Sequence, residues 1–222
     1  MSERDQEDVG QEEWIVPERD PERSETAARV ASQLDRIMAR QSGHFRVGDQ
    51  HTGQIVSKEL ITAHPTFLGE VAGVIARRWW RELGSEVEVV VSASGGGSVL
   101  AYAVARALTG ISEDLEVLAI HTKRRGGLVV LSPAFAKLVE GKRVLVVGRV
   151  LRSGRSMRAI ADAVERAGGL VLGVSMICSR GTLTCDTLGV PQLDALLETL
   201  IPSWMPEDCP LCEEGVLPVE EL

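Results

Sequence analysis

The chain has 222 residues, 44% of them hydrophobic and 25% charged, enough for one core and at most a small accessory layer. No apolar run approaches the roughly 18 residues of a membrane span, and MSERDQEDVG lacks the basic start and apolar stretch of a signal peptide, so a soluble, cytoplasmic protein with no membrane partner is expected. The net charge of −8 resides in the tails: residues 1–25 hold ten acids and three bases, residues 207–222 six acids and no base, and 26–206 sixteen acids against 21 bases. A mildly basic body suits a small phosphorylated ligand, whereas nucleic acid calls for a denser basic stripe.

Residues 1–25 read as an acidic, disordered or loosely docked extension in which only Trp14, Ile15 and Val16 could pack. Ala27, Val30, Ala31, Leu34, Ile37 and Met38 recur at helical spacing and predict an amphipathic helix over Thr26–Arg40. Gly43 and Gly48 flank a short extended stretch, and Leu68, Val71, Ala72, Ile75 and Trp79 place a second helix over Thr66–Leu83. After Gly84 the β-branched run Val87-Glu88-Val89-Val90-Val91 reads as a buried strand ending in small residues.

The same succession then recurs, with a helix at Val99–Leu108, strands at Leu115–His121 and Arg143–Val147, a helix at Met157–Ala167 and a strand at Leu170–Ile177. Such alternation predicts an α/β fold, a mainly parallel sheet flanked by helices, with right-handed crossovers. A single main domain over 26–206 is expected, with 26–65 as a small N-terminal layer and 207–222 as an acidic tail.

Open parallel sheets bind ligands beyond the carboxyl ends of their strands, which directs attention to three turns. Ser94-Gly95-Gly96-Gly97 lies between a strand and a helix, where glycines let backbone amides approach an anion; a tight turn needing positive φ is the alternative. Arg152-Ser153-Gly154-Arg155-Ser156 brings hydroxyls, a glycine and two arginines to a helix start, the groups a phosphate oxyanion requires. A helix cap by Ser153 is compatible with that reading, because one residue can serve both purposes. Lys123-Arg124-Arg125-Gly126-Gly127 is a basic, hinge-like stretch that could close over a polyphosphate or be a solvated loop.

Across these turns the chain resembles the orotate phosphoribosyltransferases, members of the type I phosphoribosyltransferase family. The likeness runs from GHFRVGDQHTGQIVSKELITAHP (43–65), similar to the family's hood segment, through VVVSASGGGSVLAYAVAR (89–106) to KRVLVVGRVLRSGRSMRAIADAVERAGGLVLGVSMICSRG (142–181). It implies magnesium-dependent displacement of pyrophosphate from phosphoribosyl pyrophosphate by a base, through an oxocarbenium-like transition state. It further implies a 5′-phosphate site at Ser153, Gly154, Arg155 and Ser156 and a pyrophosphate site at Ser94, Gly95, Gly96 and Gly97. Lys123, Arg124 and Arg125 would belong to a mobile loop that homodimers exchange, with Lys123 catalytic, and Arg180 would meet the carboxylate of orotate.

One departure stands out. The family ends the strand before the 5′-phosphate loop with two adjacent acids, and this chain has Gly148 and Arg149. Arg149 reverses the charge where a cationic sugar would develop, and losing one well-placed electrostatic group costs about 2–4 kcal/mol of barrier. The expectation is a retained anion site, for phosphoribosyl pyrophosphate or a nucleotide, with transfer weakened or lost.

Four cysteines in this setting argue against a disulfide framework. Cys209-Pro210-Leu211-Cys212 is a CxxC knuckle that Cys178 and Cys185 could complete as a zinc site; a reduced CxxC tail, with Cys178 as a buried core thiol, is the favoured reading.

Overall fold

A computed structural model describes residues 20–112, 115–180 and 183–220. Helix α1 (Pro21–Arg36) starts at a proline, whose fixed φ suits a first helical position, and the Asp20 carboxylate accepts from the Glu22 amide. It begins five residues before the expected start because this cap lies upstream of the apolar stripe. Ion pairs of Glu22 with Arg81 and of Arg23 with Asp194 then dock its first turn on the body. Residues 21–25 are therefore helical, while the rest of the acidic extension, 1–19, lies outside the described residues. The helix ends early because Met38 takes a φ of 55° and Arg40 already belongs to a strand.

Strands β1 (Arg40–Val47) and β2 (Gln50–Val56) form an antiparallel hairpin, followed by α2 (Lys58–Ala63) and α3 (Pro65–Leu83). The body continues as β3 (Val89–Ala93), α4 (Gly96–Thr109), β4 (Leu118–Arg125), β5 (Leu128–Val130), α5 (Pro133–Val139) and β6 (Arg143–Leu151). It is completed by α6 (Arg155–Arg166), β7 (Leu170–Arg180), α7 (Cys185–Leu188) and β8 (Leu193–Thr199); the tail adds α8 (Pro210–Glu213) and β9 (Val219–Glu220). Six strands form one sheet in the order β5-β4-β3-β6-β7-β8, parallel except for β5. A smaller sheet, β2-β1-β9, forms the hood and includes the tail.

The two-residue period of the strands sorts side chains to opposite faces. Val90, Leu145 and Val147 face a cluster with Leu34, Ile75, Trp79, Leu100 and Leu108 from α1, α3 and α4. Val89, Val91, Val144 and Val146 face another with Met157, Ile160 and Val164 from α6. Burial on both faces explains why these strands read as unbroken apolar runs. The expected strands are longer than their apolar cores: β4 runs on to Arg125 because it pairs with β5, and β6 and β7 extend together to the Leu151–Ser179 pair. Among the described residues, no helix is long and apolar enough to cross a membrane.

Candidate phosphate-binding site

The turn from β6 into α6 is shaped by Gly154. Its φ is 73°, and a Cβ at this position would stand 2.5 Å from Leu188 Cδ2. An L side chain is thus disfavoured both by the backbone and by the space. Beyond it, the amides of Arg155, Ser156 and Met157 open the helix without intrahelical acceptors, and the twelve-residue helix adds partial positive charge there. Arg155 Nε donates to Ser153 Oγ at 3.4 Å, which holds one hydroxyl beside those amides.

A cavity of about 130 Å³ lies against this turn, lined by Ser153, Gly154 and Ser156 together with Lys58, Arg152 and Arg180. Among the described residues it thus gathers three cationic side chains and no acid. Hood contacts hold two of the cations: Arg152 Nη1 donates to the Val47 carbonyl at 3.1 Å, and Arg180 Nη2 donates to Thr52 Oγ1 at 3.1 Å. Thr52 in turn donates to the Pro202 carbonyl at 2.7 Å, so hood, cavity and the segment leaving β8 are linked through one hydroxyl. Arg180 is only 7% exposed and lines this cavity rather than the open surface.

The β3–α4 turn forms a separate, more open cradle. Gly95 has a φ of 74°, α4 starts at Gly96, and Ser98 Oγ donates to the Gly95 carbonyl at 2.6 Å. Ser94 to Gly97 do not line the 130 Å³ cavity. The link between the two turns is Arg149: its Nη1 would lie 2.5 Å from a Cβ at Gly96, and it donates to the Lys58 carbonyl at 2.6 Å and to Thr62 Oγ1 at 2.8 Å. Arg149 therefore reaches from β6 to α2 across the start of α4. Burial lowers its pKa, while nearby Glu59 acts in the opposite direction. At Gly148 the space that an acid's stem would need is filled: a Cβ there would stand 2.6 Å from Met176 Cε and 3.0 Å from Met157 Sδ.

Lys123, Arg124 and Arg125 lie on β4, opposite Val130, Val129 and Leu128, so the basic stretch is one arm of a hairpin. Gly126 and Gly127, at φ 57° and 82°, make its two-residue turn. Arg124 and Gly127 line a broader depression of about 460 Å³ that also includes Ser153, Arg155 and Ser156. The sequence reading missed Lys58 and Thr52 as site-forming residues; the serine cap at Ser57 that starts α2, and so aims Lys58, was the available signal.

The four-cysteine zinc set is corrected by the structure. Cys178 is buried in β7, where burial pushes its thiol up to about 12, and Cys185 begins α7. Cys209 and Cys212 instead meet His44 and His51, two residues that the cysteine count could not reveal.

A family profile described as "Phosphoribosyl transferase domain" matches residues 57–212. The orotate phosphoribosyltransferase of Pelotomaculum thermopropionicum is 32% identical over 192 residues, spanning 86% of this chain and 94% of that protein. Solved structures of the Mycobacterium tuberculosis orotate phosphoribosyltransferase share the fold. The one in complex with inorganic phosphate has a TM-score of 0.58 and 21% identity, covering 78% of this chain and 96% of that one. The one in complex with 5-phospho-alpha-D-ribosyl 1-diphosphate has a TM-score of 0.54 and 21% identity, covering 82% and 91%. The chain belongs to the phosphoribosyltransferase family, as an orotate phosphoribosyltransferase-like member with the type I fold.

Proposed function

We propose that this chain binds a phosphorylated ribose or nucleotide at the β6–α6 turn, and that phosphoribosyl transfer is weakened or lost. One observation carries the reading: among the described residues, the cavity at that turn is lined by Lys58, Arg152 and Arg180 and by no carboxylate. Helix-terminal amides, hydroxyls and cations suit a phosphoryl group. Transfer asks for the opposite charge, because an oxocarbenium-like sugar gains positive charge as pyrophosphate leaves. Arg149 adds a cation on the diphosphate side, where it complements substrate and released pyrophosphate alike, and uniform binding of that kind does not speed the chemical step. No carboxylate in this lining offers magnesium, which the family implies, an oxygen ligand, so magnesium would have to be held by the substrate's own phosphate oxygens and water.

The second reading, an active magnesium-dependent enzyme making a nucleoside monophosphate from orotate or another base, draws support from Arg180. The resemblance assigns this residue to the orotate carboxylate, and it lines the same cavity under the hood. Association as a homodimer, with Lys123 serving catalysis in a shared site, belongs to this second reading.

The test combines calorimetric titration of phosphoribosyl pyrophosphate, a nucleoside monophosphate and phosphate with an orotate-consumption assay. Saturable binding with little turnover is expected. Robust orotidylate formation refutes the weakened-enzyme reading, and failure to bind any phosphate compound refutes the site. The Gly148→Glu, Arg149→Asp double variant should gain activity. Arg149→Asp alone is run beside it, because Met176 and Met157 must shift to admit a longer side chain in place of Gly148.

A further inference from the structure

The hood and the C-terminal tail meet at four side chains that the phosphate site does not use. His44 lies on β1, His51 on β2, and Cys209 and Cys212 at the start of α8. Their ligand atoms all lie within 4.8 Å of one another, and His44, His51 and Cys209 are buried at 4%, 5% and 0% exposure. His44 Nε2 is 3.0 Å from His51 Nδ1; Cys209 Sγ is 3.4 Å and Cys212 Sγ 3.8 Å from His44 Nε2, and Cys212 Sγ is 3.2 Å from His51 Nδ1.

Tetrahedral zinc with Zn–N near 2.05 Å and Zn–S near 2.3 Å has edges of about 3.3 Å between nitrogens and about 3.6 Å between nitrogen and sulfur. The His44–His51 separation and the three nitrogen–sulfur separations given above match those edges to within about 0.4 Å, and all four ligand atoms stay within 4.8 Å of one another. The tautomer matches too. His44 Nδ1 is 2.6 Å from the Val216 carbonyl, which can only accept, so the proton sits on Nδ1 and the Nε2 lone pair faces the cluster. His51 is fixed by backbone bonds in both directions with Trp204, at 2.8 and 2.9 Å.

We propose that His44, His51, Cys209 and Cys212 form a tetrahedral zinc site that fastens the C-terminal tail to the hood. Two thiolates balance the charge of the divalent ion, which makes burial tolerable, and two imidazoles complete a donor set that favours zinc over magnesium or calcium. Four protein ligands leave no open position, so the ion is structural. Strand pairing alone holds the tail weakly, since β9 contributes only the Phe45–Val219 and Arg46–Glu220 pairs to the hood sheet among the described residues. Because His51 adjoins Thr52, the ion also helps place the hydroxyl that receives Arg180.

The experiment is metal analysis of full-length protein purified under reducing conditions without a histidine tag. One zinc per chain is expected. Cobalt exchange should give visible bands of tetrahedral geometry and near-ultraviolet thiolate-to-metal charge transfer. Cys212→Ser and His51→Asn should lose the metal and speed proteolysis of the tail, while Cys185→Ser keeps both the metal and the protected tail. Should those variants fail to fold, thiol modification of the Cys185→Ser protein followed with a zinc indicator replaces them, with one zinc expected for the two ligand thiols modified while buried Cys178 stays unreactive. A folded wild-type protein that stays metal-free after zinc supplementation overturns the proposal. So does a Cys209–Cys212 disulfide in the reduced preparation, or metal loss in Cys185→Ser.

Discussion

Replacing Arg149 with methionine keeps most of the side chain's length and removes its charge. In the folded protein the guanidinium is tied to the Lys58 carbonyl and Thr62 and lies against Gly96. A diphosphate held by the first amides of α4 would sit about 5 Å from that charge, where a unit pair is worth about 3 kcal/mol at an effective dielectric near 20. Salt screening and the cost of desolvating the guanidinium remove roughly half of this, leaving about 1.4 kcal/mol, so the Kd for pyrophosphate should rise about tenfold. Ribose 5-phosphate, seated at the β6–α6 turn, should change by less than about threefold. Isothermal calorimetry at two ionic strengths reads both ligands, and the wild-type advantage for pyrophosphate should shrink at the higher one. Tighter pyrophosphate binding by the variant would refute the reasoning, because Arg149 would then be plugging the turn instead of serving as its counter-charge.

Gly154→Ala should destabilise the protein by about 2–4 kcal/mol in chemical denaturation, combining the left-handed backbone with overlap on buried Leu188. Gly127→Ala, with φ 82° and no atom within 4 Å of its Cβ, should cost only about 1 kcal/mol, and equal losses at the two sites would contradict the packing argument. The carboxyl of Glu88 is held down from its ordinary 4.5 to about 2, chiefly by the hydrogen bond from Lys142 and then by the Arg143 backbone and side chain. Its contribution is therefore fully present above pH 4.5 and is lost as pH falls toward 2. Melting curves of wild type and Glu88→Gln should differ near neutrality, by on the order of 1 kcal/mol, and converge at low pH. A gap that persists at low pH would assign the effect to packing.

The β-branched run before the first glycine turn and the Val144–Val147 run before the second were legible because strands buried on both faces leave an unbroken apolar signature. The loop residues Ser153, Gly154 and Ser156 were legible because turn chemistry is local. What escaped the sequence depends on distance along the chain. His44 and Cys209 lie 165 positions apart, so counting cysteines could only pair thiol with thiol. Arg149 could be read as a reversed charge, but its reach to Thr62, 87 positions away, follows from how α2 crosses β6. For Lys123 to Arg125, glycines and cations suit a hinge-like stretch and a solvated loop alike, and their pairing with Leu128 to Val130 in a hairpin depends on contacts the local sequence does not announce.

Among the described residues, the lining of the 130 Å³ cavity contains neither carboxylate nor imidazole, the side chains whose protonation ordinarily changes between about pH 4 and 8. Acidity within that interval acts on the guest instead. A phosphate monoester sheds its second proton near pH 6, so occupancy should follow the dianion fraction of the incoming molecule. Under the proposed function, the site would report the ionisation of what it captures.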